Sequence, residues 1–143
     1  MVGLILVSHG RIAESFLAVS LEIFGPVEGV RVVSLSEPMD QEQVMEDIQR
    51  VRNEIDQGEG ILILTDMFGG TPANLCFSLL EDRLVEVLTG MNLPMIMKIL
   101  SAREETSLTE LARIAMDCGR ENIYLAREIL EQRERMSDEN RSG

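Results

Sequence analysis

Gly60-Ile61-Leu62-Ile63-Leu64-Thr65-Asp66-Met67-Phe68-Gly69-Gly70-Thr71-Pro72 is the stretch that decides the fold. Its first half is an unbroken apolar run with no alternation. A strand of that kind is covered on both faces, as in a parallel sheet. Its second half is a glycine-rich loop that ends in Thr71-Pro72, a good helix N-cap followed by the residue favoured at the first helical position. Strand, loop and helix start in that order form half of a βαβ unit.

Reading outward, the same pattern opens the chain. Val2 to Ser8 is a second apolar run, His9-Gly10 follows it, and Ile12 to Phe24 reads as a helix ended by Gly25-Pro26. Val30 to Leu35 is a strand. Pro38-Met39-Asp40 leads into a helix that Asp40 caps, with Gln43 in place for a reciprocal cap. Val44, Ile48, Val51 and Ile55 fall on one face of that helix, which ends at Gly58 and Gly60. Leu84 to Gly90 is a fourth strand, Met91 to Pro94 a loop, and a short helix runs through Leu100. Ser107 and Glu110 form a capping box for a further helix that Gly119 stops. Asn122 to Arg135 admits two readings, a short edge strand followed by helix or a single helix. The predicted class is α/β, doubly wound and mainly parallel, with the common strand order 2-1-3-4 and room for an antiparallel edge strand near the C-terminus. One domain spans residues 1–136, and 137–143 reads as a polar, frayed tail.

Composition narrows the function classes. The 143 residues carry 25 acidic and 13 basic side chains, a net charge of −12. Such a surface is ill suited to nucleic acid or to an anionic membrane face. One histidine cannot supply a metal site that needs two, and no metal is expected. With no Trp and 3% aromatic residues, stacking platforms are poorly supplied. Cys76 and Cys118 lie in apolar, helix-like stretches and read as buried thiols in a reducing compartment. The N-terminus lacks a basic n-region, and no apolar run reaches the roughly 20 residues of a membrane span. The expected location is the cytoplasm.

In an open parallel sheet, ligands bind beyond the carboxyl ends of the strands, where the strand order reverses. Here that point lies between strands 1 and 3. The residues there are Ser8-His9-Gly10 on one side and Thr65-Asp66 with the glycine loop on the other. His9 and Asp66 are therefore predicted to face each other. An imidazole beside a carboxylate is held in one tautomer and leaves its other nitrogen free to attack. Gly10, Gly69, Gly70 and Thr71 offer backbone amides, a helix start and a hydroxyl, the elements of an anion cradle. Each residue also has a plainer reading: a loop histidine, a turn aspartate, an ordinary strand-to-helix connection. The loop is not a P-loop, since no Gly-Lys-Ser/Thr follows. Together the features suggest phosphoryl transfer through a phosphohistidine, without cofactor. Met39, Met67, Phe68, Met91 and Met95 fall on the same predicted face. Flexible methionines there suit a protein that docks two partners in turn. Arg11, beside His9, reads as a solvated side chain or as an attractor of phosphate.

Ser8-His9-Gly10, Thr65 to Pro72 and Gly90-Met91-Asn92-Leu93-Pro94-Met95, each at a strand end and in this order, resemble the mannose-type IIA component of the bacterial phosphoenolpyruvate-dependent sugar phosphotransferase system. The resemblance runs to about Gly119 and is weak beyond it. It implies a flavodoxin-like fold that dimerises. It also implies that His9 takes a phosphoryl group from the phosphocarrier protein HPr on the ring nitrogen remote from the backbone. That group passes to a histidine of a IIB component, and Asp66 bonds the other ring nitrogen. The family's hydroxyl residue at the helix start is often Ser and here is Thr71; its loop aromatic is often Trp and here is Phe68. An edge strand exchanged between subunits occurs in the family. No IIB domain is legible, so a stand-alone IIA is expected.

Three other classes share the fold. A receiver that phosphorylates aspartate needs an acidic pair after strand 1, where Ser8-His9 stand. A flavin module needs aromatics that the chain lacks. The phosphocarrier subunit of a dihydroxyacetone kinase carries a similar histidine, and the Phe68-Gly69-Gly70-Thr71-Pro72 loop favours the sugar-system branch over it. A noncovalent ligand-binding module is the remaining alternative.

Overall fold

A computed structural model describes residues 1–67 and 71–142. Its strands are β1 (Gly3–His9), β2 (Val30–Leu35), β3 (Ile61–Thr65) and β4 (Val85–Thr89). They form one parallel sheet in the order β2-β1-β3-β4, as the apolar runs predict. The helices are α1 (Ile12–Phe24), α2 (Gln41–Ile55), α3 (Thr71–Phe77, continuing into a 3-10 turn over Ser78–Glu81), α4 (Leu93–Ala102), α5 (Leu108–Glu121) and α6 (Ala126–Ser142).

The sheet is central because β1 and β3 are apolar on both faces. Leu4, Leu6, Leu62 and Leu64 point into a cluster with Ile96 and Ile99 of α4 and Leu111 and Ala115 of α5. Ile5, Val7, Ile61 and Ile63 point into the opposite cluster, with Val44, Ile48, Val51 and Ile55 of α2 and Cys76 of α3. The predicted stripe of α2 is thus its buried face. Removing a branched side chain from such a core costs about 2–5 kcal/mol. Cys76 is fully buried, and burial pushes its thiol up to about 12. Cys118 is only half-buried.

Capping follows the sequence with one change of partner. Asp40 accepts from the backbone N–H groups of Glu42 and Gln43. The Gln43 side chain, however, donates to Asp47 Oδ1 at 3.1 Å, one turn ahead. Ser107 accepts from Glu110 N–H at 3.3 Å. Gly60 turns at φ +93°, and a Cβ there would lie 2.8 Å from the Leu84 carbonyl oxygen, so only glycine admits this crossing into β3. At the end of the sheet away from His9, the buried Arg103 side chain donates to the carbonyls of Glu28 and Gly29 and pins the turn before β2.

Two expectations at the C-terminus are corrected. Among the described residues there is no fifth strand: 122–125 carry no strand, and α6 begins at Ala126. Only Ile123-Tyr124-Leu125 are strand-prone, and a strand forms only against a neighbouring edge. The expected frayed tail is helical through Ser142. Opposite charges at helical spacing, Glu131 with Arg135 and Asp138 with Arg141, support a helix without any buried face. Ile129 is the one half-buried residue of α6; its other described side chains are exposed.

Candidate functional site

His9 is the last residue of β1 and Asp66 the first after β3. The two strands are neighbours, with Val7 opposite Thr65, so both side chains emerge at one edge of the sheet. The Asp66 carboxylate is mostly buried and the His9 ring is 50% exposed. One carboxylate oxygen, Oδ2, accepts both the His9 backbone N–H at 3.0 Å and His9 Nδ1 at 2.8 Å. The other, Oδ1, accepts the Met67 N–H at 3.0 Å.

Backbone and ring are therefore held by the same acceptor. A carboxylate only accepts, so Nδ1 carries the proton and Nε2 presents its lone pair. Among the described residues Nε2 has no hydrogen-bond partner. Burial pushes the Asp66 carboxyl upward; the hydrogen bonds from the His9 ring and backbone, with the attraction of the ring, outweigh it and hold the group below the usual carboxylate value. In its neutral form the ring is an oriented nucleophile, backed by a carboxylate that compensates positive charge as it develops on the ring.

Gly10 sits at φ +51° in the turn into α1, and its N–H bonds the Leu35 carbonyl at 2.9 Å. Ser8 plays a part that the sequence reading left unassigned. Its hydroxyl, fully buried, accepts the Ala13 N–H at 2.8 Å and donates to the His9 carbonyl at 3.2 Å. Arg11, at the N-cap of α1, makes no side-chain cap, so the strand residue caps the helix instead. The signal was a serine immediately before His-Gly, five residues ahead of an amide it could reach. A second hydroxyl, Thr65 Oγ1, is buried next to Asp66 and has no hydrogen-bond partner among the described residues.

The remaining candidates divide. Met39 is half-buried and lines a cavity with His9; Met67 is 55% exposed. Met91 and Met95 are corrected as surface contacts: both are buried in the core under α4 and α5. Met91 N–H bonds the Thr65 carbonyl at 3.0 Å, which draws the β4–α4 loop inward with its side chain. Arg11 is exposed and lines a separate groove with Ile12, Phe16 and Leu93. Phe68, Gly69 and Gly70 lie outside the described residues, and Thr71 is described only as the first residue of α3. Among the described residues no three His, Cys, Asp or Glu side chains gather as a metal site, and no helix is long and apolar enough to cross a membrane.

The model of the family described as "PTS system fructose IIA component" matches residues 3–116. The fructose-specific EIIA component of Bacillus subtilis (strain 168) is 27% identical over 133 residues, 92% of this chain and 91% of its own. The mannose-specific EIIAB component of Escherichia coli (strain K12) is 29% identical over 124 residues, 85% of this chain; the match spans 38% of that relative's length. Among solved structures, the phosphotransferase system component EIIA from Streptococcus agalactiae superposes with a TM-score of 0.82 at 28% identity, covering 90% of this chain and 99% of that one.

Proposed function

Because the chain belongs to the EIIA-man family, the mannose/fructose-type IIA components of the sugar phosphotransferase system, we propose that it is a phosphoryl carrier loaded on His9 by phosphorylated HPr and unloaded onto a histidine of a IIB component. The observation that carries this reading is the pinned ring: Nδ1 lies 2.8 Å from Asp66, and the side chain as a whole is half exposed.

The chemistry balances without a cofactor. The Nε2 lone pair of neutral His9 attacks phosphorus, the donor's N–P bond breaks, and its electron pair returns to the donor imidazole. Each ring keeps the proton on its other nitrogen, so no proton changes hands. His9 becomes a phosphoimidazolium, and Asp66 stabilises its positive charge through the Nδ1–H bond. Transfer to IIB is the same step in reverse, with IIB's histidine as nucleophile. In this reading Gly69, Gly70 and Thr71 hold the phosphoryl oxygens, and Met39, Met67 and Phe68 meet the partner proteins; Gly10, whose N–H is taken by the Leu35 carbonyl, is corrected as an amide donor and only leaves open space beside His9.

A homodimer belongs to the same proposal. The outer edge of β4 is unpaired among the described strands, while Ile123, Tyr124 and Leu125 are 75%, 65% and 65% exposed. Strand-prone residues next to an open edge invite pairing with a second copy. The cytoplasm is the compartment in which HPr would meet the chain.

Incubation with phosphoenolpyruvate, enzyme I and HPr tests the reading. The expected result is one added phosphate, acid-labile and base-stable, located on His9 by mass spectrometry. An unmodified chain under these conditions, or a label on another residue, contradicts it.

A further inference from the structure

His9 has a carboxylate on one side and a cavity on the other. Asp66 comes from β3. The cavity, about 270 Å³, is lined by His9 and Gly10 together with Leu35, Ser36, Glu37 and Met39, which follow from β2 on the far side of β1. Glu37 is the only Asp, Glu, Lys or Arg among its described lining residues, and it is exposed. It has no hydrogen bond or ion pair among the described residues. Arg11, the cation nearest His9 in sequence, lines a different groove. The surroundings supply no relief, since the chain carries a net charge of −12.

Resting on the carrier reading above, we propose that Glu37 is an opposing carboxylate of the site, which disfavours the phosphorylated state and so raises the tendency of His9 to pass its phosphoryl group on. The two carboxylates act on opposite charges. Asp66 bonds the ring nitrogen and stabilises the positive imidazolium. Glu37 makes no bond to the ring and lines the same cavity as His9, so a dianionic phosphoryl group on Nε2 would carry its charge close to this carboxylate. Like charges at this range repel, and no lining cation offsets them. A carrier benefits from a bound group that leaves readily, because its task is relay and not storage. Glu37 is exposed, so its effect is modest and screened by salt.

The test is the equilibrium ratio of phosphorylated chain to phosphorylated HPr, read by 31P NMR at low salt and in 1 M salt, for the wild type, Glu37→Gln, Glu37→Asp and Glu59→Gln. Glu59 lies before β3 at the opposite end of the sheet, and its substitution removes the same unit of charge. Glu37→Gln is expected to shift the ratio toward the phosphorylated chain by about two- to fivefold at low salt and by almost nothing at 1 M, where the screening length is about 3 Å. Glu37→Asp and Glu59→Gln should stay near the wild type. An unchanged ratio in Glu37→Gln, a shift that survives 1 M salt, or an equal shift in Glu59→Gln overturns the role of Glu37 while leaving His9 as acceptor. A wild-type chain that takes no phosphoryl group from HPr overturns the carrier reading, and the role of Glu37 with it.

Discussion

The carboxyl ends of β1 and β3 and the segment after Glu121 are opposites in how they are held. At the strand ends, one Asp66 oxygen takes two donors from His9, and Ser8 is buried and bonded on both sides. Beyond Glu121, Ile123, Tyr124, Leu125, Leu130 and Met136 are all more than half exposed. The first region is fixed by short bonds inside a core buried on both faces. The second keeps its helix through local bonding and leaves its apolar side chains uncovered. A reactive group needs the first kind of setting, because a ring that wanders cannot meet a visiting phosphoryl group in line. The second kind fits a surface completed by another molecule.

Substitutions can break this contrast or sharpen it. The largest expected effect is His9→Ala, which abolishes labelling by phosphorylated HPr and leaves the circular dichroism spectrum unchanged; residual labelling at the wild-type level removes His9 as acceptor. Asp66→Ala keeps the acceptor and slows transfer by about 10- to 100-fold, the loss typical when a metal-bound histidine loses the carboxylate that orients it. A rate equal to the wild type in rapid-quench measurement reduces Asp66 to a turn residue. Asp66 also has a pH signature. Its folded-state value is depressed, so the stability it adds is present above about pH 4, the unfolded carboxylate value, and is lost as pH falls through the folded value. The difference in denaturation midpoint between wild type and Asp66→Ala should therefore shrink on acidification below pH 4; a constant difference contradicts the assignment.

Smaller effects compare the two regions in stability. Leu64→Ala, in the centre of the sheet, should cost about 2–5 kcal/mol in urea unfolding, and Ser8→Ala, which removes a cap, about 1 kcal/mol. Truncation after Glu121 should change the stability of the monomer by less than about 0.5 kcal/mol, as for other surface changes. A loss as large as that of Leu64→Ala would show that 122–142 packs on the body. If the same truncation converts a dimer to a monomer in sedimentation, the exposed segment is the dimer's contact.

The central strands were legible because Ile61 to Leu64 and Leu4 to Val7 are apolar without interruption, a pattern that leaves little choice but burial on both faces. The pairing of His9 with Asp66 followed from strand order alone, since both stand at strand ends. Met91 was not legible. An apolar residue in a loop carries no periodicity, and its inward turn depends on a bond to the Thr65 carbonyl, distant in sequence. Gln43 was misread for a related reason: a side chain three residues from a cap can reach back to it or forward to Asp47, and spacing alone does not choose. The stretch after Glu121 defeats a single-chain reading, because whether Ile123 to Leu125 forms a strand depends on an edge to pair with.

The most direct measurement is a long-range 1H–15N correlation on the chain's single histidine, before and after phosphorylation by HPr. The account predicts a proton on Nδ1 beforehand and phosphorus bonded to Nε2 afterwards. A proton on Nε2 in the free protein, or phosphorus on Nδ1, would contradict it.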